Sequence, residues 1–203
     1  MINDSNNFDE RALTWDDDPA KVERAAIVAQ AILAAVHADG STRMLEYGAG
    51  TGLVTQALRD HVGPVTMADT STGMRSVIED KIATGTITDA RVWNLDLSTE
   101  AAPVETFDLI VTVLTLHHIL RLEPVLSGFA RMLADSGHLC IVDLDKEDGS
   151  FHHSDFAGHN GFDHSVLTAH LEAAGFANIN VQPCHHMVRD GVAYPLFLAI
   201  ARH

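Results

Sequence analysis

The sequence predicts an α/β fold: a mostly parallel sheet of seven strands held between helix layers, with an antiparallel hairpin at its C-terminal end. Three observations carry this. Short apolar runs alternate with helix-length segments along most of the 203 residues, a glycine-rich turn follows the first run, and Arg189-Asp190-Gly191 separates the last two.

In chain order, Asp18-Pro19 joins an acidic cap to a proline at the first helical position. Val22, Ala25, Ala29, Leu33 and Val36 then recur at helical spacing, and Gly40 ends the helix. Strands are expected at Arg43 to Tyr47, Val65 to Ala68, Arg91 to Leu95, Phe107 to Leu114 and His138 to Leu144. The run Leu109-Ile110-Val111-Thr112-Val113-Leu114 is nearly continuous in apolar residues, as a parallel strand covered on both faces must be. Asp163 caps a further helix carrying Val166, Leu167, Leu171 and Ala174, which Gly175 closes. Ile179 to Val188 and Tyr194 to Ala201 then form the hairpin. The irregular stretch from Asp145 to Gly161 is long enough to mark either function or mobility.

The length suits one domain, 1–203. Within it, 1–38 is an N-terminal arm and helix, 40–145 a ligand-binding core, and 146–203 a loop, helix and hairpin at the substrate end. Thirteen Lys and Arg against twenty-eight Asp and Glu give a formal charge of −15, which repels a phosphate backbone and argues against nucleic-acid partners. Cys140 and Cys184 cannot form a disulfide framework, and Cys140 lies in the apolar run Leu139-Cys140-Ile141-Val142, so a reducing cytoplasm is expected. The polar start Met1-Ile2-Asn3-Asp4-Ser5 has neither basic nor apolar leader character, and no membrane span is expected.

The most informative segment is Glu46-Tyr47-Gly48-Ala49-Gly50-Thr51-Gly52-Leu53, a strand end running into a glycine turn, with a helix beginning at about Thr51. A dinucleotide fingerprint needs glycine at the sixth position counted from Gly48, where Leu53 stands. Glu46 would also oppose a pyrophosphate, whereas it suits a ligand bearing an ammonium and a sulfonium. Asp69 follows at the end of the second strand, placed for ribose hydroxyls, and Asn94-Leu95-Asp96-Leu97 ends the third.

With these residues in this order, the chain resembles the class I S-adenosylmethionine-dependent methyltransferases. The segment Phe107-Asp108-Leu109-Ile110-Val111 through His117-His118-Ile119 is similar to the quinone-biosynthesis members. The resemblance covers roughly residues 40 to 145 and implies a Rossmann-like three-layer sandwich that uses S-adenosylmethionine to methylate a small molecule. It assigns the cofactor to Glu46, Tyr47, Gly48, Ala49, Gly50, Gly52, Asp69, Thr70, Asp96, Leu97 and Thr112, with Asp69 on the ribose, Asp96 on the adenine amino group and Leu97 beside the ring.

An acceptor in such a fold lies over the carboxyl ends of strands four and five. Five of the thirteen histidines fall there: His117, His118, His152, His153 and His159. His118 and His159 are the favoured general bases and His117 a substrate contact, while no metal site is expected, since the adjacent His185-His186 would point to opposite faces of a strand. Phe8 and Trp15 are lid candidates, although Trp15 also suits a staple for the first helix, and Phe151, Phe156 and Phe162 suit an apolar acceptor wall or an anchor for the loop. The acceptor atom (oxygen, carbon, nitrogen or sulfur) and the choice between monomer and homodimer stay open. A cofactor-binding regulatory protein and an NAD(P)-dependent oxidoreductase are the alternative classes, and the Asn-Pro-Pro-Tyr-like run of amino-directed nucleic-acid enzymes is absent where Thr112-Val113-Leu114-Thr115 stands.

Overall fold

The computed structural model describes residues 5–152 and 156–203. A helix α1 (Ser5–Arg11) and a 3-10 turn (Ala12–Asp17) precede α2 (Pro19–Ala35), whose first turn is capped by Asp18 accepting from the Ala20 N–H. This cap and proline predict α2 from the sequence, whereas no comparable local signal predicts the helix and 3-10 turn of the arm before it. β1 (Met44–Tyr47), α3 (Leu53–Leu58), β2 (Val65–Ala68), α4 (Thr72–Ala83), β3 (Ala90–Trp93) and β4 (Phe107–Val113) follow. Then come α5 (Leu122–Met132), β5 (Leu133–Leu144), α6 (His164–Ala173), β6 (Ala177–Arg189) and β7 (Val192–Arg202).

The seven strands form one sheet in the order β3-β2-β1-β4-β5-β7-β6. Neighbours are parallel from β3 to β5, and β7 is antiparallel to both β5 and β6. Met44, Leu109 and Val111 pack with α2, α3 and α4 on one face, and Leu45, Tyr47 and Ile110 pack with α5 and α6 on the other. This is the expected three-layer sandwich.

Of the boundaries that differ from the sequence reading, two have a plain physical cause. The helix after the glycine turn starts at Leu53 rather than Thr51, because Gly52 takes the left-handed conformation at φ 80°. β5 starts at Leu133 rather than His138, because Leu133 already pairs with Phe107 although Asp135-Ser136-Gly137 breaks the apolar run. The hairpin turn is as read: Asp190 and Gly191 both have positive φ, 51° and 79°, the twist a two-residue turn between antiparallel strands requires. β6 is an outer edge of the sheet, and its register against β7 shifts between Pro183 and His185.

Candidate active site

Parallel strands bring the carboxyl ends of β1, β2, β4 and β5 to one side of the sheet. The order reverses between β1 and β4, where the chain leaves neighbouring strands in opposite directions and opens a crevice. The glycine turn lines that crevice. Gly48 and Ala49 donate to the Ala68 carbonyl at 2.8 and 3.0 Å, Gly52 donates to the Ala49 carbonyl at 2.8 Å, and Gly50 donates to Asp69 Oδ2 at 2.8 Å. Asp69 Oδ1 accepts from the Ser71 N–H at 2.8 Å, so the carboxyl is held in one orientation. Burial is the main cause that raises its pKa.

Gly48 lies against the segment just after β4: a Cβ there would stand 2.2 Å from Thr115 Oγ1. Gly50 is the opposite case, with φ +56° and nothing within 4 Å of a Cβ position, so its main chain faces open space that a ligand can enter. Thr112, 1% exposed, carries a hydroxyl with no hydrogen-bond partner among the described residues. An open glycine face, an orphaned hydroxyl and a fixed carboxyl at the end of β2 fit an S-adenosyl ligand. Asp96, half-buried, accepts from the Ser98 N–H at 2.9 Å, and a cleft of about 380 Å³ lined by Trp93, Asn94 and Leu95 opens beside it.

Other expected cofactor contacts have side chains turned elsewhere. Glu46, 2% exposed, accepts from the Thr55 N–H at 3.0 Å and from the Thr55 hydroxyl, satisfying the first turn of α3, whose N–H groups have no helical acceptor. Burial pushes its pKa up to about 7. Tyr47 is in the core edge-to-face with Phe129, and its hydroxyl accepts from the Leu97 N–H at 3.1 Å. The Leu97 side chain is itself buried against Gly128 of α5. Tyr47, Ala49 and Leu97 therefore offer the crevice main chain rather than side chain. Thr70 follows Asp69, and its carbonyl accepts from Arg75 at 2.8 Å.

Beyond β4 the chain turns through Leu116–His118, and the histidines gather. The ring of His117 is 4.1 Å from that of His118 and 5.2 Å from that of His152, centroid to centroid, and His152 stacks on Phe156 at 3.6 Å. His118 is largely buried among these rings, which pushes its pKa down to about 3. His159 joins the loop after β5 to the turn after β4: its N–H donates to the His117 carbonyl at 2.7 Å, and its Nε2 lies 2.9 Å from the Ile119 carbonyl, which can only accept. His153 lies outside the described residues. Phe162, expected at the acceptor, is 7% exposed in the core beside Phe197, because the Phe162 N–H pairs with the Leu144 carbonyl and draws it under the sheet end. Phe151 packs edge-to-face on both Tyr194 and His152, while Phe156 lies among the rings of His117, His118 and His152.

The arm covers this end of the sheet. Phe8 meets the His118 ring at 5.4 Å, Asp9 accepts from the Ser71 hydroxyl and from the Gly73 N–H at 2.8 Å, and Asp16 bridges the Thr51 hydroxyl at 2.5 Å and Lys81 at 2.6 Å. Trp15 lies edge-on to Phe8 and carries Lys21 of α2 over its ring at 4.1 Å, so it also staples the arm to α2.

Sequence reasoning missed Asp143, the fully buried carboxyl near the end of β5. Its Oδ1 is 2.6 Å from His117 Nδ1 and 2.8 Å from the Leu144 N–H, and its Oδ2 is 3.3 Å from the His117 N–H. The signal was present: an aspartate inside Ile141-Val142-Asp143-Leu144, a strand buried on both faces, needs a partner.

Residues 10–181 match the family described as a methyltransferase domain, and the chain belongs to that family. An uncharacterized methyltransferase of Schizosaccharomyces pombe is 28% identical over 154 residues, 68% of this chain and 54% of that protein. A highly reducing polyketide synthase of Calcarisporium arbuscula is 30% identical over 115 residues, 52% of this chain and 4% of the synthase. The chain thus spans about half, or a small fraction, of the curated relatives it matches. DhpI in its SAH complex superposes with a TM-score of 0.72 at 20% identity, covering 98% of this chain and 94% of the other. A Haloferax volcanii methyltransferase solved with the Trm112 activator gives 0.73 at 16% identity, covering 97% and 98%. Both share the fold. Among the described residues, no helix is long and apolar enough to cross a membrane.

Proposed function

We propose that this chain is an S-adenosylmethionine-dependent methyltransferase acting on a small-molecule acceptor. The observation that carries it is the Asp69 carboxyl, locked by the Gly50 and Ser71 N–H groups beside the open face of Gly50, where a ribose diol has an acceptor and no side chain in its way. When bound, S-adenosylmethionine supplies a methyl group on a positively charged sulfur. The chain's own residues do the rest. Asp69 holds the ribose, Asp96 and the main chain around Leu97 flank the adenine, and Thr112 with the Gly48–Gly52 turn holds the amino-acid end.

Glu46 sets the field behind the turn, and its carboxyl, raised to about 7, ionises more readily when a cation binds beside it. The arm and the post-β5 loop exclude water from the acceptor. Their aromatic and imidazole rings, Phe8, His118, His152 and Phe156, suit a small, partly apolar acceptor. The net charge of −15 disfavours RNA and DNA, and two free cysteines suit the cytoplasm. Calorimetric titration with S-adenosylhomocysteine tests the cofactor. Wild type is expected to bind and Asp69→Ala to lose at least about tenfold in affinity, equivalent to about 1.4 kcal/mol; absence of heat with wild type overturns the reading.

A further inference from the structure

The buried pair His117 and Asp143 lies outside the residues assigned above to the cofactor. Asp143 is fully enclosed near the end of β5 and His117 is 2% exposed after β4, the two strand ends over which the acceptor is expected. Burying such a pair costs several kcal/mol of desolvation, and an apolar pair of similar volume serves stability as well or better. Its place at the reacting end of the sheet needs another reason.

We propose that His117 and Asp143 form a proton-accepting dyad, in which His117 Nε2 removes the acceptor's proton while Asp143 fixes the ring, so that the acceptor's nucleophilic atom carries a removable proton. This rests on the methyltransferase reading above. The tautomer follows from the hydrogen bonds. Asp143 Oδ1 also accepts from the Leu144 N–H, so this oxygen is an acceptor and His117 Nδ1, at 2.6 Å, carries the hydrogen. That leaves Nε2 without one in the neutral ring, within the group formed by His118, His152 and Phe156. The two imidazoles favoured from the sequence serve less well. His118 has its pKa near 3 and takes a proton poorly, while the Nε2 of His159 is committed to the Ile119 carbonyl.

The step balances. The acceptor's proton passes to Nε2, its electron pair forms the bond to the methyl carbon, and the carbon–sulfur bond breaks with its pair left on sulfur. The products are the methylated acceptor, S-adenosylhomocysteine and an imidazolium whose charge Asp143 offsets. The acceptors this selects are carbon acids flanked by carbonyls, phenols and thiols, not tertiary amines or thioethers, which have no proton to lose. His117 is the catalytic residue and Asp143 a positioning residue. Phe8 and His118 cover this end, so acceptor entry requires the arm to lift.

The test uses the full chain saturated with S-adenosylhomocysteine or S-adenosylmethionine. In ¹⁵N-histidine-labelled protein near neutral pH, His117 is expected to carry its proton on Nδ1, and Asp143→Asn to move it to Nε2, because an asparagine amide can donate to Nδ1. Finding wild-type His117 protonated on Nε2 overturns the dyad. A panel of β-dicarbonyls, phenols and thiols against tertiary amines and thioethers is expected to give turnover only with the proton-bearing set. There kcat falls about 100- to 10,000-fold in His117→Asn and Asp143→Asn. Calorimetric affinity for S-adenosylhomocysteine should stay within about twofold in both. Preferred turnover of tertiary amines or thioethers, or variants that keep kcat, also overturns it; if no panel member turns over, the tautomer decides. Failure of wild type to bind S-adenosylhomocysteine is a different result, which removes the methyltransferase reading itself.

Discussion

Replacing Gly48 by alanine separates the structural role of the glycine turn from its binding role. The new Cβ would stand 2.2 and 2.3 Å from Thr115 Oγ1 and Cγ2 and 2.8 Å from Thr115 Cβ, with the backbone at φ +72°. The left-handed conformation costs alanine about 1 kcal/mol and the overpacking a further 1–3, so the loss is about 2–4 kcal/mol. For a chain of this size that lowers Tm by about 5–15 °C. Gly50→Ala provides the contrast: its Cβ meets nothing within 4 Å, so only about 1 kcal/mol of backbone strain applies, yet the methyl occupies the ligand's approach. Urea unfolding followed by circular dichroism gives the stabilities, and calorimetry with S-adenosylhomocysteine gives the affinities. Thr115→Ala removes the two nearest atoms, and in the Gly48→Ala background it should recover about 1–2 kcal/mol as a coupling energy. A Gly48→Ala chain as stable as wild type, or a double mutant showing no coupling, would refute the close approach of β1's turn to the segment after β4.

Two further outcomes are expected. Glu46 has its carboxyl raised from 4.5 to about 7 by burial, so the stability it contributes is full below about pH 4.5 and is lost as pH rises through about 7. Chemical unfolding between pH 5 and 8 should show that decline, on the order of 1–3 kcal/mol, and Glu46→Gln should flatten it; an unchanged slope in the variant excludes Glu46 as the source. Asp16→Ala removes the bridge to Thr51 and Lys81 and should speed limited proteolysis within residues 8–17 by about fivefold or more, equivalent to about 1 kcal/mol of local opening, with global Tm nearly unchanged. Equal cleavage rates would show that the arm is held elsewhere.

The sheet was legible because its central strands carry nearly unbroken apolar runs, Leu109–Val113 in β4 and Leu139–Val142 in β5, and because Asp18-Pro19, Asp163 and Asp190-Gly191 are caps and turns whose chemistry is local. Asp69 and the glycine turn were legible for the same reason, since the contacts of Gly50 and Ser71 span two strand ends in a fixed topology. Side-chain direction was not. The orphan N–H groups at the start of α3 claim Glu46, and the pairing of Phe162 with Leu144 draws that ring into the core. His117 was placed at the acceptor, but its partner lies 26 residues away, and although an aspartate in a buried apolar run calls for a partner, nothing in the sequence says which side chain meets it; of the bases favoured instead, burial pushes the His118 pKa down to about 3, and His159 is tied to the Ile119 carbonyl.

The register shift at Pro183 reaches beyond the hairpin. An outermost strand thirteen residues long is an open template for another chain, and proline gives any newcomer one amide fewer to pair with, while the bulge beside it throws successive partners out of phase. A long C-terminal ribbon can thus border the parallel strands without inviting the fibre-like stacking that a flat, regular border of the same length would promote.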